Sequence, residues 1–201
     1  ADRMLDMGFS DDILQIEKHL PKDRQTILFS ATMPQKIQQL ARTILNNPVE
    51  VKLAVSKPAD KIQQSAYVCY EAQKLPLIKH LFKTQRPERV IIFTGSKIKT
   101  KDLAVSLSRA GFNVCAMHSD LAQSERDEAM YAFRAGKVDV LVATDIVARG
   151  IDIDDIQLVI NYDVPHDEED YVHRIGRTAR AGRNGRAITL VNEKDQHKFR
   201  Q

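Results

Sequence analysis

Short apolar runs alternate with amphipathic stretches along most of this chain. Beyond residue 61 the apolar runs predict six strands, at Gln64 to Tyr70, Arg89 to Phe93, Asn113 to His118, Val138 to Ala143, Leu158 to Tyr162 and Arg186 to Val191. The amphipathic stretches predict helices at Leu75 to Thr84, Lys99 to Arg109, Ser124 to Ala135 and Glu168 to Arg177, with a last one after Asn192. Gly111 and Gly136 each follow a predicted helix, where a left-handed cap favours glycine.

The alternation of strands and helices predicts an α/β fold. Runs such as Val90 to Phe93 and Val138 to Val142 are nearly continuous in apolar residues, as expected for parallel strands that are buried on both faces. We therefore predict a doubly wound parallel sheet with helices on both faces over residues 62–201. Ligands of such folds bind beyond the carboxyl ends of the strands, so the loops at that edge are where function is expected.

Residues 1–55 carry a separate and shorter pattern. It predicts helices from Ile13 to Leu20 and from Thr32 to Ile44, and strands at Gln25 to Phe29 and Val49 to Leu53. These elements are too few for a parallel sheet that is covered on both faces, so we expect a partial α/β segment of a first domain. The polar stretch 56–61, which contains one proline, is the predicted linker.

Composition narrows the class of protein. The 201 residues are 43% hydrophobic and 28% charged, as in ordinary soluble globular proteins. Lys and Arg number 30 against 27 Asp and Glu, so a nucleic acid would have to be bound by a local basic patch. Cys69 and Cys115 have no histidine at metal-ligand spacing, so we predict no metal site and a reducing, cytoplasmic location. No apolar run is long enough to predict a membrane span.

The segment from Tyr171 to Arg180 carries three arginines, Arg174, Arg177 and Arg180. If the segment is helical, His173 lies on the same face as the last two of them, because residues three or four apart are neighbours on a helix. Guanidinium groups donate paired hydrogen bonds that suit phosphate oxygens. The alternative is a solvated basic helix end that binds nothing.

Two polar loops follow predicted strands, at Thr94 to Lys97 and at Thr144 to Asp152. Hydroxyl groups and backbone N–H groups ahead of a helix can hold a phosphate. Glycine and serine after a strand are also ordinary turn residues, and that reading stays open for the first loop.

Together these segments resemble motifs of the DEAD-box RNA helicases. The matches are His173 to Arg180 with H-R-I-G-R-x-x-R, Thr144 to Asp152 with T-D-x-x-x-R-G-x-D, Gln123 to Arg126 with Q-x-x-R, Ser30 to Thr32 with S-A-T, and Ala1-Asp2 with the end of D-E-A-D. The chain is identified as a member of this family, and it is similar to the bacterial RhlE-type group. The resemblance implies a C-terminal RecA-like domain over residues 62–201, preceded by the tail of a first RecA-like domain over residues 1–55.

The resemblance also implies roles for individual residues. The RNA backbone would be contacted by Thr94, Gly95, Arg126 and Thr144. The residues implied at ATP are Gly150 and Asp152, with Arg177 and Arg180 as arginine fingers on the γ-phosphate. The two domains would be coupled by Ser30, Ala31, Thr32, Arg149, His173 and Arg174. Ala179 and Ser119 stand where relatives often have glycine, and we expect both to be tolerated.

The chain lacks the G-x-x-x-x-G-K-S/T phosphate loop, and the acids that would hold Mg²⁺ are absent. We therefore expect ATP and Mg²⁺ to be used by a full-length enzyme, and the fragment alone to bind neither and to be inactive. The implied partners are single-stranded or duplex RNA and the missing N-terminal RecA-like domain, with no membrane. Residues 1–55 are expected to pack in a non-native way or to exchange strands between copies of the fragment. The alternatives are a non-catalytic RNA-binding or protein-docking module, or a DNA helicase of the same superfamily.

Overall fold

A computed structural model describes residues 1–6, 8–30, 33, 35–52, 61–145, 156–179 and 184–199. The chain divides into two compact units, Ala1–Val55 and Ser56–Gln201. The predicted linker falls almost entirely outside the described residues. Within the described ranges, no helix is long and apolar enough to cross a membrane.

The described part of the first unit is helical. It contains α1 (Asp2–Asp6), α2 (Ser10–Lys18) and α3 (Gln35–Ile44), and the last two confirm the helices predicted there. Helix α3 packs against α1 and α2, and it buries Ile37 and Leu40.

The two strands predicted in this unit do not form. Residues 25–29 and 49–52 belong to no helix or strand, and Leu53 lies outside the described residues. Phe29 is 83% exposed and Val49 is 91% exposed. An extended segment becomes a strand only when a neighbour completes its hydrogen bonds, and the described residues of this unit supply no such neighbour. Apolar composition alone was therefore a wrong guide to strands here.

The second unit follows the predicted alternation. Its strands are β1 (Ile62–Val68), β2 (Val90–Thr94), β3 (Val114–Met117), β4 (Val140–Thr144), β5 (Leu158–Asn161) and β6 (Gly185–Val191). The described helices of this unit are α4 (Glu71–Gln85), α5 (Lys97–Arg109), α6 (Gln123–Arg134), α7 (Glu168–Ile175) and α8 (Gln196–Phe199). All six predicted strands are confirmed to within two residues at each end. Gly111 and Gly136 have φ of +89° and +70°, as their predicted cap positions require.

The six strands form one sheet in the order β1-β6-β5-β2-β4-β3, and every neighbouring pair is parallel. Successive residues of β2 point to opposite faces: Val90 and Ile92 pack with α4 and α5, whereas Ile91 and Phe93 pack with α6. Ile175 of α7 packs beside Ala187 of β6. The sheet is therefore covered on both faces, and the predicted doubly wound architecture is confirmed.

Candidate functional site

The central strands β2, β4 and β5 end side by side. Thr94 is paired with Thr144 in the β2–β4 ladder, and Phe93 is paired with Asn161 in the β2–β5 ladder. The carboxyl ends of parallel strands share one edge of the sheet, so the loops that follow these three strands lie next to one another. Two of the predicted RNA-contacting residues are thus brought together by the register of the sheet.

Arg174 of α7 ties these loop ends together. Its Nε donates to Asp145 Oδ1 and its Nη2 donates to Asp145 Oδ2, both at 2.6 Å. Its Nη1 donates to Asn161 Oδ1 at 3.2 Å and to the main-chain oxygen of Asp163 at 2.8 Å. Its guanidinium carbon also lies 5.3 Å from the centroid of the Phe93 ring. The Arg174 side chain is only 3% exposed, and its positive charge is neutralised inside this unit by the Asp145 carboxylate.

This placement changes what Arg174 can do. Its guanidinium is committed to Asp145, Asn161 and Asp163 of the same unit. The predicted coupling role of Arg174 therefore stays a prediction, and the contacts support an indirect form of it in which Arg174 fixes the loops.

Asp163, two residues beyond β5, is the second centre of the site. Its Oδ2 accepts a hydrogen bond from the N–H of Gly95 at 2.7 Å. Its Oδ1 lies 2.6 Å from Nζ of Lys99 and 3.4 Å from Nζ of Lys74. Lys74 is completely buried, and its Nζ also lies 2.8 Å from Glu71 Oε2. Two carboxylates and two ammonium groups thus form a compact cluster with no net charge.

The cluster shifts the pKa values of its members. Burial alone would raise the pKa of Asp163, but hydrogen bonds from Lys99 and Gly95 and the charge of Lys74 outweigh it, so the pKa is held below its ordinary value. Burial likewise opposes ionisation of Glu71, and hydrogen bonds from Lys74 and Asn192 overcome it and lower the pKa. The ion pairs and hydrogen bonds therefore favour the ionised carboxylates.

The loop after β2 is held by its own polar groups. The Thr94 hydroxyl is buried, 2.7 Å from the Thr100 hydroxyl, and it donates to the Ser96 carbonyl at 3.1 Å. Ser96 caps α5 by accepting a hydrogen bond from the N–H of Lys99 at 3.3 Å. A contact between the Thr94 hydroxyl and RNA is not supported by this arrangement. Gly95 is exposed, but its N–H is already donated to Asp163.

Arg126 lies in the first turn of α6 and has donor capacity left. Its Nη2 donates to the Ser119 carbonyl at 3.0 Å, whereas its buried Nε has no hydrogen-bond partner among the described residues. The buried Nδ1 of His118 also has none in the same part of the structure. Burial and the charge of Lys101 lower the pKa of His118, which favours its neutral form. Because the Nε of Arg126 is buried, a contact between Arg126 and RNA would have to be made by the other nitrogens of its guanidinium group.

Helix α7 ends two residues earlier than predicted, so Arg177 lies in the turn that follows the helix. The helix stops at Ile175, and Gly176 and Arg177 form a turn. Thr178 then bridges Ile156 and donates its hydroxyl to the Ile156 carbonyl. Whether Arg177 shares a face with His173 therefore stays a prediction.

Several predicted residues lie outside the described part of the chain: Ala31, Thr32, Arg149, Gly150, Asp152 and Arg180. Ser30 is described, and its hydroxyl accepts a hydrogen bond from the N–H of Asp2 at 3.2 Å within the first unit. Thr144, His173 and Arg177 are half-buried. The described residues contain no group of three or more His, Cys, Asp or Glu side chains that could hold a metal ion.

Sequence reasoning missed Asp145, Asn161, Asp163 and Lys74. Asp145 lies inside the recognised Thr144 to Asp152 segment, and Asp163 follows an apolar strand, so position at the carboxyl edge was the available signal for both. Lys74 gave no such signal, because a lysine in a helix is ordinarily solvated.

Comparison with known proteins identifies the family. Residues 73–182, more than half of the chain, match the Helicase conserved C-terminal domain, and residues 1–40 match the DEAD/DEAH box helicase family. The chain belongs to the DEAD-box RNA helicase family. The loops at the carboxyl edge of the sheet are accordingly those of a RecA-like helicase domain.

The DEAD-box ATP-dependent RNA helicase RhpA of Helicobacter pylori is 44% identical over 192 residues, which cover 95% of this chain and 39% of RhpA. RhpA is bacterial, which is consistent with the predicted bacterial group. The chain spans about two fifths of the length of the curated bacterial relatives it matches.

Two solved structures of helicases resemble the chain. Saccharomyces cerevisiae Dbp5 bound to RNA and ADP BeF3 has a TM-score of 0.85 and 36% identity, over 98% of this chain and 53% of the Dbp5 chain. Escherichia coli SrmB bound to regulator of ribonuclease activity A has a TM-score of 0.65 and 43% identity, over 69% of this chain and 82% of the SrmB chain.

Proposed function

We propose that this chain is the C-terminal RecA-like half, with a segment of the N-terminal half, of a cytoplasmic ATP-dependent RNA helicase. In this proposal it holds the RNA backbone with the loops at the carboxyl edge of its sheet. It also supplies Arg177 and Arg180 as arginine fingers to an ATP site that the N-terminal half completes. The observation that carries the proposal is the set of contacts that Arg174 makes with Asp145 and Asp163. Together with the hydrogen bond from Gly95 to Asp163, these contacts hold the loops after β2, β4 and β5 as one surface.

The RNA-binding part rests on backbone recognition. The half-buried Arg126 lies in the first turn of α6, and Thr144 lies at the end of a central strand. Donors of this kind contact phosphate oxygens, and such contacts position a strand without specifying its sequence. Binding should therefore be tolerant of RNA sequence and sensitive to salt. The relative Dbp5, whose structure contains RNA, supports this choice of ligand.

The ATP part rests on the family and on the position of α7. Arg177 lies two residues after the end of α7, and α7 is anchored to Asp145 through Arg174. Guanidinium groups at this place would stabilise charge that develops on the γ-phosphate during hydrolysis. ATP use is supported by the relatives, which are ATP-dependent helicases. Mg²⁺ is proposed only as the ion that binds the ATP phosphates in the full-length protein.

The test compares the 201-residue chain with the full-length protein that carries it. The chain alone should bind single-stranded RNA without hydrolysing ATP, and the full-length protein should hydrolyse ATP and unwind an RNA duplex. In the full-length protein, Arg180→Ala and Arg180→Lys should both lower kcat for ATP and leave RNA binding intact, because a lysine cannot replace the guanidinium fork. Magnesium-dependent hydrolysis by the isolated chain, or normal hydrolysis by Arg180→Ala, would contradict the proposed division of roles.

The same assays separate the other functions. A full-length protein that binds RNA but neither hydrolyses ATP nor unwinds a duplex would be a non-catalytic module. The SrmB structure, which contains a bound protein partner, favours protein docking as that module's function. Unwinding of DNA in preference to RNA would assign the chain to a DNA helicase.

A further inference from the structure

We propose that Asp163 is a positioning residue for RNA binding, which holds the Gly95 loop in the shape that receives the RNA backbone. This inference rests on the proposed function, because it assumes that the loop after β2 lies against RNA. Asp163 would act through Gly95 and Arg174, and would not touch the RNA itself.

The first argument is the direct contact between the two residues. The N–H of Gly95 donates to Asp163 Oδ2 at 2.7 Å, across a sequence separation of 68 residues. A Cβ atom added at Gly95 would stand 3.3 Å from the same oxygen, so the carboxylate lies closely against the glycine backbone. A Gly95 amide that is held in this way cannot also donate to a phosphate. The carboxylate therefore orients the loop after β2, and the RNA would be contacted by other groups of that loop.

The second argument is charge. A lone carboxylate beneath a phosphate-binding loop would repel RNA, but Lys99 and Lys74 lie 2.6 and 3.4 Å from Asp163 Oδ1. Lys74 also pairs with Glu71 at 2.8 Å, so the four groups carry no net charge. The cluster can therefore fix the loop without adding a negative field at the surface.

The third argument is the link from Asp163 to the rest of the edge. While its side chain holds Gly95, its main-chain oxygen accepts a 2.8 Å hydrogen bond from Arg174. Arg174 in turn holds Asp145, which follows Thr144 directly. One residue thus joins the loop after β2 to the loop after β4 and to α7. A displacement of Asp163 should therefore displace the loops after β2 and β4, which are both predicted to contact RNA.

The experiment measures RNA affinity of the 201-residue chain by fluorescence anisotropy, with an oligouridylate of about 12 nucleotides at low salt. The variants are Asp163→Ala, which removes the carboxylate contacts to Gly95, Lys99 and Lys74, and Asp163→Asn, which keeps one oxygen for the Gly95 N–H. Asp102→Ala is the matched control, since Asp102 is an exposed acid on α5. All three changes remove one negative charge, so simple electrostatics predicts equal or tighter RNA binding for each.

If Asp163 positions the loop, its replacement should instead weaken RNA binding. We expect Asp163→Ala to weaken RNA binding by about tenfold, the order expected from losing one or two phosphate contacts. Asp163→Asn should recover part of that loss, and Asp102→Ala should show none. Amide hydrogen exchange measured by NMR should be faster at Gly95 in Asp163→Ala than in the control. Retained affinity in Asp163→Ala together with faster exchange at Gly95 would overturn the inference and leave the proposed function standing.

A second measurement covers the case in which Asp163→Ala does not fold. Lys99→Met keeps the hydrogen bond between Asp163 and Gly95, so exchange at Gly95 should stay slow while RNA affinity falls only through the lost charge. Faster exchange at Gly95 in Lys99→Met would show that the carboxylate alone does not hold the loop, and would count against the inference. If the wild-type chain binds no RNA at low salt, the proposed function fails, and this inference fails with it.

Discussion

Arg174 and Asp145 form a two-pronged ion pair, with both N···O distances at 2.6 Å and Arg174 only 3% exposed. The two residues lie 29 positions apart, on α7 and directly after β4. Geometry of this kind is specific to arginine, because only a planar guanidinium presents two parallel N–H groups to one carboxylate. The pair therefore fixes the helix that precedes Arg177 relative to the loop that begins at Thr144.

The first prediction concerns this pair. Arg174→Ala should lower the free energy of unfolding by about 3 kcal/mol, since removal of one partner leaves a largely buried carboxylate uncompensated. Arg174→Lys should recover only part of this, because an ammonium group cannot occupy all four acceptor positions. Urea unfolding followed by circular dichroism measures both. Arg109→Lys at the exposed end of α5 is the control, and equal stability of Arg174→Ala and wild type would refute the structural role.

The second prediction concerns pH. The folded-state pKa values of Asp163 and Glu71 lie below their ordinary values of 3.8 and 4.5. The unfolded chain therefore binds more protons than the folded one in acid, so this stabilisation is present above the ordinary values and is lost as pH falls through the folded pKa values. The stability advantage of wild type over Asp163→Asn should thus be larger at pH 7 than in acid. Urea midpoints at pH 7 and at about pH 3 measure it.

The control for this pH effect is Asp102→Asn, which neutralises an exposed carboxylate on α5. Its stability relative to wild type should change little between the two pH values. If the difference in stability between wild type and Asp163→Asn were the same at both pH values, the low pKa of Asp163 would be contradicted.

The third prediction concerns Arg126. Arg126→Ala should weaken binding of single-stranded RNA and reduce the slope of log affinity against log salt by about 0.7, the amount expected for one lost phosphate contact. The effect should be similar for RNAs of different sequence, because a phosphate contact does not read bases. Anisotropy titrations at several salt concentrations provide the measurement. Arg109→Ala, at the opposite edge of the sheet, should leave the slope unchanged, and an unchanged slope in Arg126→Ala would exclude the contact.

The fourth prediction concerns the turn that carries Arg177. A Cβ atom added at Gly185 would lie 2.6 Å from the backbone N of Ala179 and 2.7 Å from Thr178 Cγ2. Gly185→Ala should therefore destabilise the protein by about 1–3 kcal/mol through overpacking and displace the turn after α7. Thermal unfolding measures the first effect, and NMR shifts of Thr178 and Ala179 report the second. Asn184→Ala at the neighbouring exposed position should do neither.

Sequence reasoning predicted the second unit well because its signals are local. Apolar runs such as Val90 to Phe93 specify buried parallel strands, and glycines at positions 111 and 136 mark helix ends. The same reasoning failed for residues 25–29, where apolar, β-branched composition is present without a neighbouring strand. A strand depends on its partner, whereas a helix completes its own hydrogen bonds.

The sequence by itself determined the order of strands and helices, the family motifs and the edge of the sheet where the site had to lie. Only the tertiary structure decided that Arg174 binds Asp145, that Asp163 holds Gly95, and that a fully buried Lys74 balances the charge beneath the loop. These partners are separated by 29, 68 and 89 residues. Periodicity records only near neighbours along the chain, whereas the packing of parallel strands brings distant loop residues within hydrogen-bonding distance.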